Sequence, residues 1–177
     1  ELCGTMRWAS VLDKAVSSAA DIILNSTSAS STLTPAEWDV LPVLVARCDS
    51  LEVAAHLLDA VSAHLPAVPQ LPEATTPQAL TAVVAATAER LEQTPDTQLL
   101  HSLCSLVLRP CFTGTPLVFV ECQKTLLDVV LRLGERTAAA VNVLADVLVA
   151  QCPDSWFSAC ENNVFELLEF GPLRDNS

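Results

Sequence analysis

The sequence predicts an all-α fold in which about seven to eight helices stack as helical hairpins in a right-handed α-solenoid. Thr-Pro pairs begin at Thr34, Thr76 and Thr115, 42 and 39 residues apart, and Pro153 follows Pro116 by 37 residues. Threonine caps helix N-termini and proline is favoured at the first helical position, so each pair predicts a helix start. A period near 40 residues with two helices per period is typical of an α-solenoid.

A large apolar residue lies three positions after each of these prolines: Trp38, Leu80, Phe119 and Trp156. Tryptophan is enriched in binding interfaces, but equivalent positions of a repeat pack equivalently. The recurrence therefore favours core packing for Trp38 and Trp156.

Residues 5–24 are predicted to form a helix, because apolar side chains recur there at helical spacing. The first unit then starts with a capping box between Thr34 and Glu37 and a hydrophobic staple between Leu33 and Trp38. Pro42 falls inside this helix and is expected to kink or split it. The helix should end near residue 48.

The other helices follow from similar start and stop signals. First helices are predicted over 77–93 and 116–133, the second with Gly134 as its C′ glycine. Second helices are predicted over 51–64, capped by Asp49 or Ser50, and over 97–108 and 135–151. A last helix should run from 153 to 170. These elements make one helical-repeat domain over 1–177, with units at about 34–65, 76–109 and 115–151 and half units at each end. Because the chain begins at Glu1 rather than Met, we expect it to be a piece of a longer protein.

Two features of the third unit carry further expectations. Four residues of alternating sign recur at i+3 and i+4 steps and should pair along one solvated face: Glu121, Lys124, Asp128 and Arg132. The helix over 135–151 is apolar apart from Asn142 and Asp146, which predicts a buried central position.

Residues 35–54 resemble a HEAT repeat of the armadillo/HEAT group. The matching features are a kinking proline with leucines in the first helix, an aspartate in the turn and a valine early in the second helix: Pro42, Leu41, Leu44, Asp49 and Val53. Ala54 stands where the family often has an arginine that packs against turn aspartates in a ladder. The resemblance implies protein recognition by an extended surface.

Composition excludes several classes of function. The net charge is −12, which disfavours nucleic acid and anionic membranes as partners and is compatible with a basic protein. Seven cysteines form no CxxC pair, so we expect no metal, no disulfide framework and a reducing compartment, cytoplasm or nucleus. The most apolar stretch, 138–152, is too short to span a membrane.

Second helices of HEAT-like stacks usually line the concave face, so their most exposed side chains are the predicted partner-binding ridge: His56, Asp59, His101, Ser105, Asn142 and Asp146. The competing interpretation is that these residues are only the solvent-exposed face of amphipathic helices, with no partner. His101 and Cys104, with Asp96 nearby, are the best candidates for a Cys-His nucleophile. Nothing else supports catalysis, so we expect no catalytic residue and no cofactor.

The sequence therefore predicts a non-enzymatic scaffold or adaptor that holds a helix, a peptide or another helical-repeat subunit within a multiprotein complex. Two alternatives remain open. The chain could be an internal structural slice of a long solenoid, or a helical bundle with an apolar cavity for a lipid or small molecule.

Overall fold

The fold is all-α over the part of the chain that the computed structural model describes, residues 14–16, 18–25, 33–48, 50–66, 68, 70–73, 75–109 and 115–151. Helical residues at 14–16 and 18–25 agree with the predicted first helix. The described residues contain six further helices: α1 Pro35–Arg47, α2 Leu51–His64, α3 Pro77–Gln93, α4 Thr97–Val107, α5 Pro116–Gly134 and α6 Ala139–Gln151. The predicted last helix, with Pro153 and Trp156, and the candidate cap Asp49 lie outside the described residues.

Side-chain caps fix most of the helix starts. The capping box of α1 forms as predicted, since Glu37 N–H donates to Thr34 Oγ1 at 3.4 Å and Thr34 N–H donates to Glu37 Oε2 at 2.6 Å. Ser50 caps α2, Thr76 caps α3 and Asp96 caps α4. Thr115 occupies the expected position before α5, but its side chain makes no capping hydrogen bond, which corrects that prediction.

The helices contact one another in two rows. The first-helix row consists of α1, α3 and α5, and the second-helix row of α2, α4 and α6. Contacts between successive helices of the same row are more extensive than the contact between the two helices of one hairpin. A large set of buried Leu, Val and Ala side chains lies within and between the rows, and it includes Trp38 at 3% exposure, as predicted. Each of these hairpins therefore packs more extensively against its neighbours than its own two helices pack against each other.

Arginines join the C-terminal ends of equivalent helices. Arg90 of α3 donates to the carbonyl oxygens of Val45 and Cys48, at the end of α1. Arg109, just after α4, donates to Ser62 Oγ at 2.8 Å and to the Leu65 carbonyl at 3.4 Å, at the end of α2. These contacts supply donors to carbonyl groups that a helix end leaves without an intrahelical partner.

The boundary between α5 and α6 differs from the prediction. Gly134 lies within α5, whose C-cap is Glu135 in a right-handed conformation, and α6 starts at Ala139 rather than at residue 135. A Cβ on Gly134 would lie 3.3 Å from Val141 Cγ2. Gly134 therefore allows α5 and α6 to approach each other closely, and it does not form a left-handed turn.

The prediction that α6 occupies a buried central position is wrong. Val141 is 44% exposed and Val149 85% exposed, because α6 has a neighbour in its row on one side only among the described residues. The enclosed helix is α4, which contacts α2, α3, α5 and α6. Every residue from 102 to 108 in and after α4 is buried. Pro42 is accommodated inside α1, which remains one helix.

The charged stripe of α5 also behaves differently from the prediction. All four of its residues are exposed, but no ion pair joins them within the described residues. Arg132 instead pairs with Glu92 of α3, with 2.6 Å between Arg132 Nη1 and Glu92 Oε1. Neighbouring helices of the first-helix row lie close enough for an ion pair between two helices to form in place of one along a single helix.

Candidate protein-binding surface

Five of the six residues of the predicted ridge are exposed on the second-helix row. His56 and Asp59 lie on α2, His101 on α4, and Asn142 and Asp146 on α6. We call these five residues the second-row ridge. Because α4 contacts both α2 and α6, the ridge residues lie on adjoining helices. No hydrogen bond or ion pair joins one to another within the described residues, so their polar groups remain open to a partner.

Ser105 does not belong to this surface. Its exposure is 7%, although its spacing from His101 predicts the same outward face. Ser105 lies in the stretch 102–108, where every residue is buried, whereas His101 directly precedes that stretch and is exposed. Periodicity gives the face of a helix but not how far its neighbours cover that face.

Buried leucines and polar caps hold the ridge helices in place. Leu57 and Leu58 of α2 and Leu99 and Leu100 of α4 are at most 1% exposed. At the helix starts, Ser50 Oγ accepts from Val53 N–H at 3.0 Å, and Asp96 Oδ1 accepts from Leu99 N–H at 2.7 Å. The ridge thus combines imidazole, carboxylate and amide groups on rigid elements, a set that can bind basic or hydrogen-bonding groups of a peptide.

The geometry does not favour a reactive Cys-His pair. Cys104 is fully buried, and burial raises the pKa of its thiol to about 12. The thiolate is the nucleophilic form, so Cys104 is unreactive near neutral pH. His101 is exposed and makes no hydrogen bond to Cys104 within the described residues.

Neither a metal-binding cluster nor a membrane-spanning helix is found among the described residues. No group of three or more His, Cys, Asp and Glu side chains there is arranged to hold a metal ion. No helix in those ranges has both the length and the apolar character that crossing a membrane requires.

A shallow groove lies between the first turns of α3 and α5, on the first-helix row. Its volume is about 400 Å³, and its lining residues are Pro77, Gln78, Thr81, Leu117, Val118, Val120 and Glu121. Leu117 is 84% exposed at its edge. Sequence patterns did not predict this groove, since it depends on the distance between two helices about 40 residues apart in the chain. The only local signal is a leucine directly after Pro116, at a position that helix periodicity leaves outside the core.

The chain matches no protein-family model, no curated protein and no solved structure at a significant level. The resemblance of residues 35–54 to a HEAT repeat therefore depends on the residues of that segment and on the spacing of the units.

Proposed function

We propose that this protein is a non-enzymatic helical-repeat module, an armadillo/HEAT-like α-solenoid, that binds a protein or peptide partner within a multiprotein complex. The observation that carries the proposal is the two-row arrangement, in which equivalent helices of successive units contact one another more extensively than hairpin partners do. Repeat proteins that stack in this way present extended surfaces, and such surfaces commonly bind other proteins.

The contacts between units support the same architecture. Arg90 reaches the end of α1, and Arg132 and Arg136 reach Glu92 near the end of α3. These guanidinium groups form a ladder along the first-helix row. Ala54 stands where a HEAT repeat often has an arginine, so the arginines that join successive units here lie at or just after the C-terminal ends of the helices instead.

The second-row ridge is the proposed binding surface. Within it, Asp59 and Asp146 supply carboxylates, and His56 and His101 supply imidazole groups. Together with the net charge of −12, the two carboxylates favour a partner that presents Lys or Arg beside backbone groups. A helix, a peptide or another helical-repeat subunit with a basic stripe would meet these requirements.

A reducing compartment, cytoplasm or nucleus, is part of the proposal. Cys104 and Cys122 are free and buried, and Cys48 is buried as well. Free cysteine in a core behaves as a small apolar residue, and it persists where disulfide formation is not favoured.

Purification of the full-length protein with its bound proteins, followed by reconstitution from purified components, tests the function. We expect at least one protein that binds directly and whose affinity falls as salt rises, because the ridge carries carboxylates. A full-length protein that binds no protein directly would overturn it.

One alternative has an observation of its own. Val141 and Val149 leave an apolar stripe exposed on α6, as expected where a further unit of a long solenoid stacks. In that case the chain is an internal structural slice, and the full-length sequence continues the period of about 40 residues beyond both ends. A cavity for a lipid is less favoured, because the groove between α3 and α5 is open at Leu117.

A further inference from the structure

Thr94 differs from the other threonines that precede prolines in this chain. It lies at the C-cap of α3, exposed, in an extended conformation with φ −137° and ψ 96°. Within the described residues its hydroxyl makes no hydrogen bond. Thr34 is also exposed, but its hydroxyl donates to Glu37 Oε2 at 2.9 Å within the capping box. Thr76 and Thr115 are both half-buried, and Thr76 Oγ1 accepts from Ala79 N–H at 3.2 Å.

Two arginines of the next unit lie against the chain two residues before Thr94. Arg132 Nη1 is 2.6 Å from Glu92 Oε1, and Arg136 Nη1 donates to the Glu92 carbonyl oxygen at 3.1 Å. Both arginines are exposed and retain donors that these contacts do not use. In a chain with 9 basic and 21 acidic residues, a pair of guanidinium groups beside an exposed Thr-Pro turn is a distinctive local environment.

We propose that Thr94 is a phosphorylation site for a proline-directed kinase and that Arg132 and Arg136 bind the resulting phosphate. In the transfer, Thr94 Oγ1 attacks the γ-phosphorus of ATP, and the bond from that phosphorus to the β–γ bridging oxygen breaks. The hydroxyl proton passes to the kinase's base, and ADP leaves. Phosphothreonine then presents three acceptor oxygens and a charge between about −1.5 and −2 at neutral pH.

The charges around the phosphate decide whether phosphorylation strengthens or weakens the contact between the second and third units. The C-terminal end of α3 opposes a negative group, as do the nearby carboxylates of Glu92 and Asp96 and, beyond α5, Glu135. Arg132 and Arg136 oppose that repulsion, while the Arg90 guanidinium is turned toward the end of α1. The Glu92 side chain is 38% exposed, so it can turn into solvent while Arg132 exchanges its carboxylate for the phosphate. Phosphorylation therefore ties the second unit to the third.

The modification itself is tested by incubating the full chain with a purified proline-directed kinase and Mg-ATP and mapping the phosphate by mass spectrometry. Phosphate should be found mainly on Thr94. Thr94→Ala should lose most of the incorporation, and the matched variant Thr34→Ala should keep it. Incorporation mainly at Thr34, Thr76 or Thr115, or none at all, overturns the assignment.

The arginine contacts are tested by phosphorus NMR of the phosphorylated chain during a pH titration. Bound guanidinium groups stabilise the dianion, so the second pKa of the Thr94 phosphate should lie below the ordinary value of about 6. Arg132→Gln with Arg136→Gln should raise that pKa to about 6 or above, because the helix end and the carboxylates then act unopposed. Phosphorylation should raise the melting temperature of the parent chain and lower that of the double variant. Arg47→Gln is the matched control and should change neither result. A phosphate pKa that the double variant leaves unchanged contradicts the role of the two arginines.

Discussion

Arg90 of α3 donates a hydrogen bond to the carbonyl oxygen of Cys48, the C-cap of α1 in the preceding unit. The same guanidinium donates to the Val45 carbonyl at 2.6 Å and contacts Cys48 Sγ at 3.0 Å. One side chain thus satisfies acceptors at the end of a helix that begins more than 40 residues earlier in the chain. The contact joins residues 42 positions apart, close to the period of about 40, and so connects equivalent parts of successive units.

Replacing Arg90 should therefore weaken the fold more than replacing an exposed arginine. Arg90→Leu leaves the carbonyl groups at the end of α1 without these donors, and we expect the free energy of unfolding to fall by about 2 to 3 kcal/mol. Arg47→Leu removes an exposed side chain of α1, and its effect should stay within about 0.5 kcal/mol. Chemical denaturation of both variants provides the comparison. Equal losses would mean that the Arg90 contact does not stabilise the stack.

The capping box should matter at Thr34 and not at Thr115. Thr34→Ala removes the acceptor for Glu37 N–H, so we expect a loss of about 1 kcal/mol in the free energy of unfolding. Thr115 makes no capping hydrogen bond, and Thr115→Ala should change stability by less than about 0.5 kcal/mol. Thermal melts of the two variants distinguish these outcomes, and a larger effect at Thr115 would contradict the caps described above.

Two buried threonine hydroxyls should respond with opposite sign to the same substitution. Thr75 is 6% exposed, and its Oγ1 has no hydrogen-bond partner in the described structure. Thr75→Val keeps the shape, removes an unsatisfied group and should raise the free energy of unfolding by about 1 kcal/mol. Thr87 Oγ1 donates to the Val83 carbonyl at 2.7 Å, so Thr87→Val should lower it by about 1 kcal/mol. Equilibrium denaturation measures both changes. A lower free energy of unfolding in both variants would indicate that the Thr75 hydroxyl also has a partner.

Alkaline pH should destabilise the protein through its buried thiols. Burial raises the pKa of Cys104 and of Cys122 from 9.0 to about 12 each. Between pH 9.0 and about 12, the folded state keeps both thiol protons, whereas the unfolded state loses them. The stabilisation is therefore complete below pH 9.0 and is lost as pH rises toward about 12. The chain has no tyrosine to titrate in the same window.

Denaturation at a series of pH values measures this loss. The slope of the free energy of unfolding against pH should become flatter in Cys104→Ala and in Cys122→Ala than in the parent chain. An unchanged slope in both variants would show that these thiols are not the source of the alkaline decline.

Local signals predicted the starts of α1 to α5 but not that of α6, and the reason for the agreement is physical. Thr34 and Glu37 contact each other across three residues, so their interaction depends on neither the fold nor a partner. Trp38 is buried as its position in the repeat predicts. Ser50 and Asp96 cap their helices for the same local reason.

Contacts between units were not predictable from the same patterns. Arg132 pairs with Glu92 rather than with Asp128 of its own helix, because α3 lies beside α5. The apolar sequence of α6 predicted burial, but burial depends on neighbours, and Val149 is 85% exposed. Ser105 shows the reverse, since a polar residue on the expected outer face is covered by adjoining helices. Helix periodicity describes one element at a time, whereas the candidate surface depends on how helices meet.

The central claim is that the second-row ridge binds a protein partner, and quantitative affinity purification of full-length variants tests it most directly. The ridge variant combines His56→Ala, Asp59→Ala, His101→Ala, Asn142→Ala and Asp146→Ala. The control combines Glu121→Ala, Lys124→Ala and Asp128→Ala, which are exposed on the first-helix row. With all three proteins folded to the same extent by circular dichroism, we predict that a directly bound partner is lost with the ridge variant and retained with the control. A partner retained equally by the ridge variant would contradict the account.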